Sequence, residues 1–313
     1  MLDPQARALI DLMAARQVPP VHTLTPQDAR RMYLERRSFS QPEPPPVGDV
    51  RGLRTDTGVP LRLYRPQALG VKPVLLYLHG GGWTMGDLDT HDVLCRQFCA
   101  AADVAVVAVD YRLGPEHRFP AAVHDGLAAA RWVRQHAGAL GLDATRLALG
   151  GDSAGGNLAA VVALLMRDAG DAPAACQLLI YPATDMRAVA PSHTTNGQGY
   201  LLTSDSVGYF RGQYIADEAD WVDWRASPLL APDLRGLPPA LVLTAGYDPL
   251  RDEGLQYADA MSAAGNRVQV VCFERQIHGF ITMGRVIDEA HTAVALCAAM
   301  LRDAFKPRPA ATA

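Results

Sequence analysis

Gly151-Asp152-Ser153-Ala154-Gly155 reads G-x-S-x-G, and its flanks decide the fold. Before it stands Arg146-Leu147-Ala148-Leu149-Gly150, short, apolar and strand-like; behind it, Asn157 to Met166 is rich in Ala, Leu and Val and reads as helix. A serine at a strand-to-helix corner sits on a turn so sharp that small neighbours are required, and Gly151 and Gly155 supply them. Such a turn pushes the Ser153 hydroxyl out at the carboxyl end of a sheet, where the following helix also points its N-terminal amides. A glycine-rich turn carrying an incidental serine would look the same in this stretch alone, so the rest of the chain has to decide.

Outward from this corner the chain alternates strand and helix. Strand-like runs cover Val74 to Leu78, Val104 to Val109, Leu147 to Leu149, Leu178 to Tyr181, Leu241 to Thr244 and Val268 to Phe273. They are nearly continuous in apolar residues, the mark of strands buried on both faces of a mostly parallel sheet. Helical stretches come between them: Val93 to Ala101, Ala121 to His136, Leu158 to Asp168, Leu255 to Ala263 and Glu289 to Phe305. Two alternating strands around Asp56-Thr57-Gly58 (Val50 to Arg54 and Leu61 to Tyr64) open the sheet antiparallel. The pattern predicts an α/β fold with helices on both faces of the sheet.

Two segments stand outside that rhythm. Two amphipathic helices open the chain, the first with Leu2, Leu9, Ile10 and Met13 on its stripe. The second starts at Thr25-Pro26-Gln27-Asp28, where Thr caps and Pro takes the first turn; Met32, Tyr33 and Phe39 mark its apolar side. Gln41-Pro42-Glu43-Pro44-Pro45-Pro46 ends it as a stiff linker. Its polar face mixes acids and bases, which fits packing on its own protein better than on a membrane surface. The other segment lies between Tyr181-Pro182 and Leu241, without a clear strand but with Tyr200, Tyr209, Phe210, Tyr214, Trp221 and Trp224. An insertion of that length is functional or disordered, and its aromatics argue against disorder. We expect helices of a cap over the site, joined by the N-terminal pair. The chain then divides into N-terminal cap helices (1–46), a first part of the core (47–183), the insertion (184–236) and a second part of the core (237–313).

A serine needs a base, an orienter for that base, and donors for the developing oxyanion. Of the nine histidines, His278 follows the last strand-like run, in Gln276-Ile277-His278-Gly279-Phe280, on the face where Ser153 emerges. His117 and His124 flank Arg118-Phe119-Pro120 and read as makers of structural hydrogen bonds; His22, His136, His193 and His291 have no partner motif, and His91 reads as a helix start. Asp248 closes the run Leu241 to Tyr247 and is placed to orient His278, whereas Asp252 and Glu253 read as the start of the next helix. The chain order Ser153, Asp248, His278 is that of an α/β-hydrolase. In His79-Gly80-Gly81-Gly82-Trp83 the glycines let the backbone approach a substrate and aim its amides inward; the Ala154 amide would complete an oxyanion hole. Loss of one such donor costs about 3 kcal/mol of transition-state stabilisation. A phosphate-binding loop is the competing reading, but there is neither G-x-x-x-x-G-K-[ST] nor a G-x-G-x-x-G that opens a helix.

These motifs together resemble the bacterial hormone-sensitive-lipase-like esterases, family IV of the lipolytic enzymes. The residues that carry the resemblance are His79 to Trp83, Asp110-Tyr111-Arg112-Leu113-Gly114-Pro115-Glu116-His117, Gly151 to Asn157, Tyr247-Asp248-Pro249-Leu250-Arg251-Asp252-Glu253-Gly254 and His278-Gly279-Phe280. The resemblance implies the α/β-hydrolase fold with a helical cap, and cofactor-free hydrolysis of short- to medium-chain carboxylic esters. It implies Gly81, Gly82 and Ala154 as oxyanion donors and a family habit of dimerising through edge strand and C-terminal helix. Arg275-Gln276 depart from the family pattern, which often has glycine and an apolar residue there, and this leaves the rim of the pocket open. Trp83, Asp185, Met186, Leu201 and Tyr209 are candidate walls of that pocket and none of them reads out a substrate. Amide, carbamate or lactone hydrolysis by the same machinery stays open. A non-catalytic receptor on this fold would have lost triad residues that are all present here, and a surface-active lipase for long-chain fats would want an apolar lid that is not in view.

Composition narrows the field further. A net charge of −4 with no basic cluster gives nucleic acid no footprint. The longest apolar run, Leu158 to Met166, is too short to span a bilayer, and Met1 to Gln17 lacks the apolar centre of a signal peptide. Five cysteines without C-x-x-C spacing read as reduced thiols, and no H-E-x-x-H or comparable spacing offers a metal site. The expected setting is cytoplasmic, with a small-molecule ester as partner.

Overall fold

The computed structural model describes residues 1–306. One sheet of eight strands organises it: β1 (Asp49–Arg54), β2 (Pro60–Arg65), β3 (Lys72–Leu78), β4 (Ala105–Val109), β5 (Leu142–Asp152), β6 (Gln177–Ile180), β7 (Ala240–Tyr247) and β8 (Val268–Ile277). Their order across the sheet is β1-β2-β4-β3-β5-β6-β7-β8. β1 and β2 pair antiparallel with each other, and β2 antiparallel with β4; every later pairing is parallel. The central strands β3, β4 and β6 are buried along their whole length, which is why they read as unbroken apolar runs. β5 starts at Leu142, five residues ahead of the apolar stretch at Leu147; Asp143, Thr145 and Arg146 are polar and half-buried or exposed, so the strand's first part does not show as an apolar run.

Helices α3 (Asp92–Ala102) and α9 (Glu289–Ala304) cover one face of the sheet with α1 (Pro4–Ala15) beside them; α4 (Ala121–Leu140), α5 (Ala154–Asp168) and α8 (Arg251–Ala263) cover the other. α5 is apolar almost all round, and twelve of its fifteen residues are buried, as a helix pinned between sheet and neighbours must be. α1 is capped by Asp3, whose carboxylate accepts from the Gln5 and Ala6 amides; α2 (Pro26–Ser40) is capped by Thr25, with Pro26 in its first turn. The segment 184–236 carries α6 (Ser192–Thr195), α7 (Ser204–Tyr214) and two 3-10 turns, with no strand.

The two opening helices are fastened to the site end of the sheet by side chains. Arg30 of α2 donates to the Thr84 carbonyl (2.8 Å), to the Gly114 carbonyl (2.8 Å) and to both oxygens of Glu116. The Asp3 amide donates to the Arg275 carbonyl, and Gln5 and Asp288 exchange two hydrogen bonds. Arg275-Gln276 thus serve as anchors: Gln276 is fully buried and donates to Glu289 at 2.6 Å.

Candidate active site

At the carboxyl edge of the sheet three strands each release one polar side chain. β5 hands over to Ser153, which has φ 57° and ψ −119° before α5 begins. That conformation is strained for any residue with a Cβ and persists only where the surroundings fix it. Here the Ser153 amide is held by the Ile180 carbonyl (2.8 Å), and a Cβ on Gly151 or Gly155 would overlap backbone of the crossing chain. Beyond β7, Asp248 is completely buried, with one oxygen accepting from the Leu250 amide at 2.8 Å. Beyond β8, His278 places Nδ1 2.6 Å from the other Asp248 oxygen and Nε2 2.9 Å from Ser153 Oγ. The Tyr181 ring packs 4.7 Å from the imidazole.

Opposite the serine lies the loop after β3. Gly81, Gly82 and Trp83 follow one another at φ 127°, 61° and 54°, a run of positive φ that glycine adopts readily. The amides of Gly81, Gly82 and Ala154 have no partner among the described residues. A Cβ on Gly82 would overlap the Phe210 ring, and one on Gly81 the Met85 carbonyl. The loop is held from below by Asp152, the residue before the serine: its carboxylate accepts from the Gly80 amide (2.9 Å) and from the Tyr77 hydroxyl (2.8 Å). Burial pushes the Asp152 carboxyl up, but His91, 3.2 Å away, and the Tyr77 hydrogen bond outweigh it and hold the group below its ordinary value.

His79, stacked on Tyr111 at 4.2 Å, is pushed down to about 4 by burial and then by the neighbouring His91. A base held neutral by the fold takes up its proton only on unfolding, so between its ordinary 6.5 and about 4 the unfolded chain binds more protons. Stability therefore rises with pH across that window and is lost as pH falls through it. Urea unfolding midpoints measured from pH 7 to 4.5 are expected to fall more steeply for the wild type than for His79→Gln; parallel curves would contradict this assignment.

A cavity of about 750 Å³ opens over Ser153 and His278. Trp83, Asp185, Met186 and Leu201 line it, as does Phe210. Tyr209, expected as a wall, is not among the lining residues; the side-chain-free Gly82 receives its neighbour Phe210 instead. Asp185 lines the cavity with its carboxylate already taken by Arg187 (2.7 Å). Much of the wall comes from the opening helices, through Met13, Met32, Tyr33 and Phe39 among others. Two buried histidine–carboxylate contacts escaped the sequence reading. One is His91 with Asp152; the other is His193 with Glu253, 2.6 Å apart. Glu253 is raised by burial, against the pull of His193. Its signal was its place one and two turns ahead of Tyr257 and Met261 on the buried stripe of α8, where an acid needs a partner.

A sheet of this order, with a serine, a histidine and a carboxylate in line at its carboxyl edge, is the arrangement of the α/β hydrolases. The profile of the alpha/beta hydrolase fold family matches residues 75–282. The chain is 49% identical over 231 residues to the carboxylic ester hydrolase LipN of Mycobacterium tuberculosis, covering 72% of this chain and 61% of LipN, less than two thirds of that protein. It is 41% identical over 303 residues to the ethyl acetate hydrolase of Pseudomonas putida, covering 92% and 95% of the two chains. Among solved structures, an ester-hydrolase from the metagenome of Lake Arreo, in complex with a bipyridine phosphonate derivative, superposes with a TM-score of 0.94 at 42% identity, covering 98% of this chain and all of that one. The chain belongs to the α/β-hydrolase family, within its hormone-sensitive-lipase-like branch, family IV.

Proposed function

We propose that the chain is a serine carboxylesterase acting on short- to medium-chain acyl esters. The observation that carries this is the position of His278, in hydrogen-bond reach of Ser153 Oγ and Asp248 at once, across from unpartnered amides at Gly81, Gly82 and Ala154. Ser153 attacks the ester carbonyl while His278 Nε2 takes its proton. The three amides receive the tetrahedral oxyanion. His278 then gives the proton to the leaving alcohol and next activates the water that frees the acid, with Asp248 ionised throughout. The opening helices (1–46) and the insertion (184–236) act as a cap on the core (47–183 and 237–313), a division supported by their share of the cavity wall. A homodimer belongs to the same reading, supported by the exposed Val270 on the edge strand β8 and Leu296 on α9. So does a cytoplasmic setting, supported by five free cysteines. Among the described residues no helix is long and apolar enough to cross a membrane.

Hydrolysis of chromogenic acyl esters from acetate to palmitate tests the reading. Activity is expected to peak at short or middle chains, matching a cavity of about 750 Å³. A folded protein that leaves every ester of the series intact would falsify it.

A further inference from the structure

The Asp248 carboxylate has two partners among the described residues, the Leu250 amide and His278. Its direction therefore depends on the path of the backbone from Gly246 to Leu250. The sheet holds that path only at Tyr247, which pairs with Ile277. The pairing of β7 with β8 shifts register between Ala245 and Tyr247, and a Cβ on Gly246 would overlap Glu274 backbone. A bulge of this kind leaves backbone groups without ladder partners, and in a buried place they need others.

Arg251 supplies part of this, its guanidinium donating to the Gly246 carbonyl (3.2 Å) and its amide to the Asp248 carbonyl (3.2 Å); the other partners come from the insertion, from the short helix α6 and its C-cap residue Asn196. Asn196 Nδ2 donates to the Gly246 carbonyl (3.1 Å) and to the Asp248 carbonyl (3.2 Å), spending both amide hydrogens on the residues around the acid. Ser192 Oγ donates to the Pro249 carbonyl (2.6 Å) and accepts from the Asp252 amide (3.0 Å). His193 meets Glu253 at 2.6 Å. All three side chains are buried. Two residues of α6 and its C-cap Asn196 thus grip the loop from 246 to 253 at its start, middle and end.

We propose that Asn196, with Ser192 and His193 beside it, is a positioning residue that sets the reach of Asp248 to His278. On this reading the insertion does more than wall the cavity: it fixes the acid. The inference rests on the esterase reading above only for its kinetic arm.

The test is Asn196→Ala, with Asp217→Ala as a control in the same insertion. Asp217 caps the turn from Glu218 to Val222 (2.9 Å to the Ala219 amide) and has no bond to the acid loop. Asn196→Ala is expected to lower kcat by about ten- to a hundredfold, the scale of a catalytic group displaced by a fraction of an ångström to one ångström. KM should change little, as for an interaction needed in the transition state. The acid limb of the pH profile should move to lower pH, because a looser carboxylate stabilises the charged imidazole less. The far-downfield proton resonance of His278 Nδ1–H, which needs no substrate, should shift or broaden. Asp217→Ala should leave all four readouts in place.

If Asn196→Ala does not fold, Ser192→Ala carries the same comparison with smaller expected changes. A folded variant with wild-type kcat, pH profile and His278 resonance overturns the proposal. If the wild type hydrolyses no ester, the esterase reading fails, and the resonance alone still decides whether Asn196 sets the His278–Asp248 contact.

Discussion

Ser153→Ala is expected to lower kcat for ester hydrolysis by about a millionfold, the loss seen when a triad nucleophile is removed. The residue's packing contributes little to this. Among the described residues the Oγ atom has one partner, His278 Nε2 at 2.9 Å, and the residue is only half-buried. Removing it leaves the fold in place, so the melting temperature should be nearly unchanged. On the proposed mechanism the two residues act as one unit, and Ser153→Ala/His278→Ala should therefore be no less active than Ser153→Ala alone. If the second substitution cost a further large factor, each residue would be working independently and the acyl-enzyme mechanism would be wrong. Backbone strain adds a check. At φ 57° a Cβ is unfavourable, so Ser153→Gly should lose the same activity and melt at a higher temperature, by about 1 kcal/mol of relieved strain.

Much of the arrangement of this candidate site is legible in the sequence, for a physical reason. Ser153, Asp248 and His278 each come within a few residues of the end of a strand-like run, and in a parallel sheet all such runs end on one edge. What could not be read depends on neighbours distant in sequence. The strand order β2-β4-β3-β5 is invisible in a chain that lists the strands one after another. Tyr209 and Phe210 are adjacent aromatics about 100° apart on α7. Which of them faces the cavity is decided by Gly82, more than a hundred residues earlier, whose missing side chain admits the Phe210 ring. His193 and His91 had no local partner because Glu253 and Asp152 lie 60 and 61 positions away. Asn196 carries no signal in the sequence, since an asparagine in a polar stretch has no signature until the carbonyls it caps are in place.

Asp248→Asn should cost about 10⁴-fold in kcat while leaving the geometry nearly intact. The carboxylate is completely buried and accepts at both oxygens, from Leu250 N at 2.8 Å and from His278 Nδ1 at 2.6 Å. An asparagine of the same shape satisfies the Leu250 amide with its carbonyl oxygen. Its NH₂ group must then face Nδ1, where two donors cannot meet. The imidazole answers by moving its proton to Nε2. That nitrogen then points an N–H at Ser153 Oγ and can no longer accept the serine proton, so the base is lost although no heavy atom has moved. The imidazolium formed in the transition state also loses the charge that stabilises it in a dry site. Raising the pH should recover part of the rate, because hydroxide can remove the proton that the histidine cannot. Asp248→Ala separates the two effects: with no amide to impose the wrong tautomer, it should lose charge stabilisation but keep some Nε2 basicity. Stopped-assay rates for both variants from pH 6 to 10 check this, and a fully active Asp248→Asn would show that the carboxylate only packs against His278.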